Sequence, residues 1–496
     1  MRTQLEELTE QALARDPTHQ SIEFQGRWFT WRDIRKVADE IGALIEASGA
    51  APKAPVAFIP RNRPSAIAAL LGLIAKGRTV RMIYAFQSAT GIARDIAKVK
   101  PAIVIAAAGD FSDEVCAAIK AEGSAAFALG ETDATAVSGF EKAAAQHAPG
   151  PGHPQLEILT SGTTGPPKTF ALSYDMLAKH FVGGTAMVSG TETNTQSLPP
   201  AILFMPLGNI SGIYTTLPAM LSGLRATLLE RFTVEDWRDY VMRHKPARTG
   251  LPPAGVRMVL DANIPVEDLS CIRSMGTGAA PLDPTVQRAF EERYGIPILL
   301  SYGATEFGGP VAAMTLELHT EWGAKKFGTV GRALPGAKLR IVDPDTGAEL
   351  PAGEEGLLEV VSPRIGPDWI RTSDVAMIDA DGFLFHRGRA DGAIMRGGFK
   401  LLPETIERAL LLHDAVSAAG VTGIADRRLG QVPAAAVQLK PGVAQPSIAE
   451  LETHLRAHVL ATHIPTVWKF VDTLPRTPSL KTDQRALRAL FEGEES

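Results

Sequence analysis

The segment Thr160-Ser161-Gly162-Thr163-Thr164-Gly165-Pro166-Pro167-Lys168 gathers hydroxyls, glycines and a cation into nine consecutive residues. Glycines let a backbone come close to phosphate oxygens, hydroxyls and amides donate hydrogen bonds, and a lysine adds positive charge. The segment lacks the GK[ST] ending of a Walker loop. Its two prolines do not suit a phosphate-facing helix beyond the opening position. A surface turn rich in Ser, Thr and Gly has the same composition, so the run by itself leaves both readings open. An apolar strand, LEILTSG at 156–162, delivers it, and IPILLSYGATE at 296–306 repeats that pattern. Ligands in layered α/β folds gather beyond such strand ends. Cys116 and Cys271 stand 155 positions apart and can build neither a disulfide framework nor a Cys-rich zinc site. They are expected to be reduced, buried thiols.

The elements that must position these residues are legible as alternating strands and helices. Residues 30–49 carry Ile34, Val37, Ala38, Ile41, Leu44 and Ile45 at helical spacing, with Thr30 as cap. VAFIP at 56–60 reads as a strand, 65–76 as an apolar helix, then TVRMIY and PAIVIAAA at 101–108 as further strands. This order predicts an α/β fold with parallel strands covered on both faces. After residue 325 the texture changes to alternating segments with DTG and AGEEG turns, which suit antiparallel hairpins. The last hundred residues predict a helix around ETIERALLLH, a strand AAAVQLKP, a helix over 448–460, a strand WKFVD and a short final helix. The predicted architecture is a large multi-subdomain region over 1–390, with layered sheets and a β-rich part. A small mobile α+β domain follows over 391–496, with the joint at GRADG.

Length and composition agree. With 496 residues, 45% hydrophobic and 21% charged, the chain has the profile of a globular protein of several subdomains. A formal charge of −5 does not suit a nucleic-acid binder. The longest apolar run near the front, AIAALLGLIA, is too short to cross a bilayer, and the charged opening lacks a signal peptide's apolar centre. The expected location is cytoplasmic, with no integral membrane segment.

In TSGTTGPPK, GTGAAPL at 276–282, YGATE at 302–306, RTSD at 371–374, GRAD at 388–391, RGGFKLLPETIE at 396–407 and PRTPSLKTDQRALR at 475–488, the chain resembles the adenylate-forming superfamily of acyl-CoA synthetases, luciferases and peptide-synthetase adenylation domains. The resemblance covers essentially the whole chain. It implies ATP, Mg²⁺ and coenzyme A, and a reaction in which a carboxylate and ATP give acyl-AMP and pyrophosphate before a thiol takes the acyl group.

Residue roles follow from that resemblance. Thr160, Ser161, Gly162, Thr163, Thr164, Gly165 and Lys168 would clasp the β and γ phosphates. Glu306 would ligate Mg²⁺ and Thr305 would face the α phosphate. Gly278, Ala279, Ala280 and Pro281 would admit the adenine, with Tyr302 stacking on it and Gly303 and Ala304 beside it. Asp374 would accept the ribose hydroxyls, with Arg389 nearby, and Ser373 stands where a glycine is common. Lys481 would bridge the two reacting anions, a task for a mobile cation. Leu480 replaces the usual glycine before it and makes the backbone less permissive. Asp391 would be the hinge of the small domain, and Gly398 would approach the pantetheine.

The acid pocket resembles FMPLGNISGIYTT at 204–216, with Asn209 in place of the usual aromatic or histidine. Ile210 replaces the acid that pairs with an amino-acid ammonium, which disfavours an α-amino acid. Gly212, Ile213, Thr277, Phe307, Gly308 and Gly309 would line a mostly apolar pocket, suited to a fatty or aromatic acid. Alternatives are transfer to a carrier protein or other acceptor, a luciferase-like oxygenase, and a nucleotide-binding relative with impaired catalysis.

Overall fold

The computed structural model describes residues 2–144, 147, 152–160, 168–182, 195–390, 392–396, 399–478 and 480–491, the side chains of 159, 160, 168, 399 and 400 excepted. The chain forms two compact units, Met1–Thr249 with Ala304–Gly309, and Gly250–Gly303 with Pro310–Ser496. The expected joint at 390/391 lies within the second.

In the first unit a seven-stranded sheet runs in the order Ala134–Ala136, Ala125–Leu129, Ile103–Ala107, Val56–Ile59, Val80–Met82, Gln155–Thr160, Lys168–Ser173. Its inner pairings are parallel, and its two outermost are antiparallel. Val56–Ile59 and Ile103–Ala107 are buried along their whole length. A strand covered on both faces needs a continuous apolar run and no alternation. One face meets the cluster built from Trp31, Ile34 and Leu70, and the other meets Ile92, Ile96 and Ile119. Helix Trp31–Ala47 begins at the Thr30–Asp33 capping box, so the expected cap is in place. Helix Pro64–Ala75 is buried on every side, which explains its uninterrupted apolar sequence. Among the described residues no helix is long and apolar enough to cross a membrane.

A second sheet of this unit orders Ala201–Leu203, Ala226–Leu228, Gln20–Phe24 and Arg27–Thr30. Its three-residue strands give too little alternation to be legible in sequence.

In the second unit Ser274–Thr277 and Ile298–Ala304 pair in parallel. The expected hairpins are a four-stranded antiparallel sheet of Lys338–Val342, Glu355–Val361, Ile370–Ile378 and Leu384–Arg389. The C-terminal part is α+β. Its sheet orders Phe399–Leu401, Ile394–Arg396, Gly430–Leu439 and Val416–Asp426, with Val467–Phe470 joining Gly430–Leu439 in parallel. Helices Pro403–Leu411 and Ile448–Arg456 contribute to the core on one face. Helix Gln484–Ala489 brings Leu487 to the core on the other.

Two expectations change. Helix Ile448–Arg456 stops four residues before 460, where the Val459 N–H turns back to the Leu455 carbonyl and the chain heads for Pro465. Val416–Asp426 is an eleven-residue strand that sequence pattern did not reveal. Its three alanines and two glycines carry little strand propensity, and its ladder with Gly430–Leu439 supplies the stability instead. Cys116 and Cys271 are free but only half-buried, where full burial was expected.

Candidate functional site

Asp374 lies inside strand Ile370–Ile378, opposite Arg389. The ladder with Leu384–Arg389 fixes RTSD as strand and presents the carboxylate from a rigid support. The Tyr302 hydroxyl donates to Oδ2, and His386 Nε2 stands 3.5 Å from Oδ1. Thr372 Oγ accepts the Asp374 N–H at 2.9 Å, and Arg389 donates to Ser373 Oγ at 2.7 Å. Burial alone would raise the Asp374 pKa, but hydrogen bonds from His386 and Tyr302 hold it below the ordinary carboxylate value. The carboxyl is therefore ionised and already oriented. His386 carries no motif signal of its own. Its ring lies 5.9 Å from that of Tyr302, and the fold alone brings the two together.

Beside them, Ser301 Oγ donates to the Thr277 carbonyl at 3.2 Å. A side chain on Gly278 would collide with Ser301, so only glycine fits that close approach. Ala279 follows with φ +68. Ala279 and Pro281 are exposed and Ala280 half-exposed, at the rim of the strand end. The Thr277 hydroxyl oxygen is buried without a partner among the described residues. Gly303 and Ala304 complete strand Ile298–Ala304 and are half-buried.

In the first unit, strands Gln155–Thr160 and Lys168–Ser173 are antiparallel, with Thr160 opposite Lys168. The two strands that flank the hydroxyl-rich run thus pair at the sheet edge. Ser161, Gly162, Thr163, Thr164 and Gly165 lie outside the described residues, as do the side chains of Thr160 and Lys168. So do Asp391 and Gly398.

Asn209 is the N-cap residue of helix Ile210–Ser222, its N–H bonded to the Pro206 carbonyl at 3.0 Å. The loop before it hangs on Asn62, which sequence reasoning missed. Its amide donates to the Phe204, Met205 and Leu229 carbonyls, each at 3.2 Å, and accepts the Leu207 N–H at 3.0 Å. Gly212 packs directly on the Pro206–Leu207 backbone, where a Cβ has no room. Ile210 packs at the edge of the core, while Ile213 belongs to its interior. On the turn Thr305–Phe307, Thr305 is half-exposed, Glu306 exposed and Phe307 buried. Gly308 closes that turn at φ +66, and Gly309 faces the Tyr214 ring.

Lys481 is exposed at the end of a tight loop. The Thr477 N–H donates to its carbonyl at 2.8 Å, and its own N–H donates to Thr477 Oγ at 3.2 Å. Arg476 and Thr482 form an antiparallel bridge at the base. The loop is fastened to the core through Leu474 and Leu487. Leu480 takes φ +60, the left-handed conformation that a glycine would adopt without strain.

Helix Pro403–Leu411 places Glu404 against Gly388 of strand Leu384–Arg389 and Glu407 against strand Val416–Asp426. Burial raises the Glu404 pKa, and one of its oxygens has no partner among the described residues. Glu407 accepts the Val421 N–H at 2.8 Å, and burial pushes it up to about 8.

A layered parallel sheet with an antiparallel strand pair at its edge, a carboxylate anchored in a β-rich part and a lysine on a small α+β domain accord with the adenylate-forming class of α/β enzyme. The chain belongs to the AMP-binding enzymes: residues 8–367 match that family, and residues 405–481 match the AMP-binding enzyme C-terminal domain. It is 25% identical to a fatty acid–[acyl-carrier-protein] ligase of Streptomyces coeruleorubidus over 97% of this chain and 95% of that protein. It is 30% identical to a 2-succinylbenzoate–CoA ligase of Geobacillus sp. (strain WCH70) over 68% of this chain and 69% of the other. In fold it resembles ATP-bound MatB from Rhodopseudomonas palustris, with TM-score 0.80 and 22% identity over 98% and 99% of the two chains.

Proposed function

We propose that this enzyme joins an apolar carboxylic acid to ATP, giving acyl-AMP and pyrophosphate, and then transfers the acyl group to coenzyme A. The observation that carries the reading is Asp374, ionised and held by Tyr302 and His386 beside Arg389, in a chain with the family's motifs from 160 to 488. An oriented carboxylate can accept both hydroxyls of a ribose. The partnerless Thr277 hydroxyl beside Gly278 suits a further polar contact from a bound nucleotide.

The run 160–168 would hold the β and γ phosphates, and Thr305 the α phosphate. Glu306 fits as a single hard oxygen ligand for Mg²⁺, an ion that keeps several waters and is held largely by substrate phosphates. Among the described residues no group of three His, Cys, Asp or Glu is placed to chelate a metal without such help. Mg²⁺ would supply charge neutralisation at the phosphates. Lys481 would neutralise the approach of carboxylate and α phosphate, a task suited to a cation on a flexible stem. The proposed domain boundary at 390/391, with Asp391 as hinge and Gly398 near the pantetheine, falls in the gap between the two family matches.

The acid is apolar on this reading because Ile210 offers no counter-charge to an ammonium. Asn209, at the head of its helix, would meet the carboxylate, with Gly212, Ile213, Phe307, Gly308 and Gly309 around it. A carrier-protein acceptor is the second reading. It is favoured by the Streptomyces relative, which matches along nearly its whole length.

The test is a panel of acids assayed by mass spectrometry for acyl-AMP and, with coenzyme A added, acyl-CoA. Matched pairs should include phenylacetate with phenylglycine and hexanoate with 2-aminohexanoate. The expected result is acyl-AMP from the members lacking an amino group and acyl-CoA on addition of the thiol. Preference for the amino-bearing member of both pairs overturns the apolar-acid reading; acyl-AMP without acyl-CoA moves the acceptor to a carrier.

A further inference from the structure

Among the described residues, seven that are not glycine have positive φ: Gln25, Lys53, Lys100, Lys245, Asn263, Ala279 and Leu480. The first five are polar and tolerate solvent-facing turns. The two apolar ones sit in candidate site segments, beside the Gly278 strand end and directly before Lys481. Strained backbone of this kind persists where surrounding contacts over-determine it, and it clusters at functional sites.

At Leu480 those contacts can be named. Its N–H donates to the Thr477 carbonyl at 2.8 Å, and its carbonyl accepts from Arg476 at 3.1 Å. Arg476 is half-buried, and burial lowers its pKa below the ordinary guanidinium value. A partly buried guanidinium loses hydration and is costly without acceptors, which favours the hydrogen bond to the Leu480 carbonyl. The Asp483 N–H closes the base on the Pro475 carbonyl at 2.9 Å. We propose that Arg476 and the left-handed Leu480 are positioning residues that pre-set the direction in which Lys481 leaves its loop. This rests on the proposed role of Lys481 in adenylation. Glycine at 480 would reach the same conformation but hold it less rigidly; leucine makes the loop stiffer at the cost of strain.

The experiment separates conformation from size. Leu480→Ile is isomeric but β-branched and strongly resists the left-handed region, whereas Leu480→Asn tolerates it. Arg476→Met keeps an unbranched apolar stem and removes the donor. Each variant is checked by its melting temperature and by hydrogen exchange of the peptide spanning 475–483. Each is then assayed for acid-dependent pyrophosphate release, using whichever of hexanoate and phenylacetate the native enzyme accepts. Consumption of coenzyme A from the matching pre-made acyl-AMP is followed separately.

The expected result is faster exchange of 475–483 in Leu480→Ile and Arg476→Met, with exchange in 416–439 unchanged. Pyrophosphate release should fall about tenfold in both, the scale of a misplaced catalytic charge. Thioester formation should stay within about twofold, and Leu480→Asn should recover most of the loss. Equal exchange in Leu480→Ile and Leu480→Asn overturns the conformational argument whatever the activity. Faster exchange with unchanged pyrophosphate release, or equal loss in both half-reactions, overturns the positioning role. Lys481→Ala is the control: full adenylation there sinks the role of Lys481 itself, a failure distinct from either of these.

Discussion

Asp374 and Lys481 are both charged, both belong to the second compact unit, and are built in opposite ways. Asp374 sits inside a β-ladder, its carboxylate held by a phenol and an imidazole and its N–H by the Thr372 hydroxyl. Lys481 is exposed at the end of a loop tied at its base by Arg476, Thr477 and Asp483. The contrast suits the two tasks proposed for these residues. A group that binds a sugar gains by being fixed, since the ordering cost is met on folding. A cation needed in one half-reaction gains from a carrier that can be withdrawn, provided the local loop keeps its aim.

The largest effect should come from the lysine. In Lys481→Ala, acid-dependent pyrophosphate release at saturating ATP should drop by about 10²–10³, the scale of one removed charge-stabilising donor. ATP binding and melting should remain near native. Unchanged turnover in the folded variant would erase the distinction between the two residues.

Asp374→Asn should act on binding instead. One amide oxygen replaces a charged acceptor, and hydrogen bonds to charged groups contribute about 1.5–3 kcal/mol. The apparent ATP KM should therefore rise by roughly 10–10², with turnover at saturating ATP much less affected. Because its pKa is depressed, the native carboxylate's stabilising effect is present above the ordinary Asp value and is lost as pH falls through the lower folded value. Equal losses in KM and kcat would place Asp374 in the chemical step and break the comparison.

The smallest effect concerns stability alone. Glu407 has a folded pKa of about 8, far above its ordinary value near 4.5. The folded state therefore holds a proton that the unfolded chain has released, and its stabilisation is lost as pH rises toward 8. Glu407→Gln keeps an acceptor for the Val421 N–H and does not titrate. Melting of the variant should match the native enzyme near pH 4.5 and exceed it near pH 8.5 by a few degrees. A constant difference across that range would mean that Glu407 is ionised in the fold.

The sequence by itself determined the class, because its motifs occur in the order and spacing of the adenylate-forming superfamily, and the candidate residues are those that this resemblance implies. Glycine at 278, an acid at 374 and a lysine at 481 are legible without neighbours, as are the fully apolar strands 56–59 and 103–107. Tertiary structure alone decided which groups surround them. His386 reaches Asp374 through the pairing of two adjacent strands, and Asn62 holds the 204–207 loop from more than 140 positions away. Val416–Asp426 is a strand because its partner makes it one. Leu480 looked like a loss of backbone freedom in the sequence, yet it takes the left-handed conformation. A local preference is a small free energy, and the bonds through Thr477 and Arg476 outweigh it.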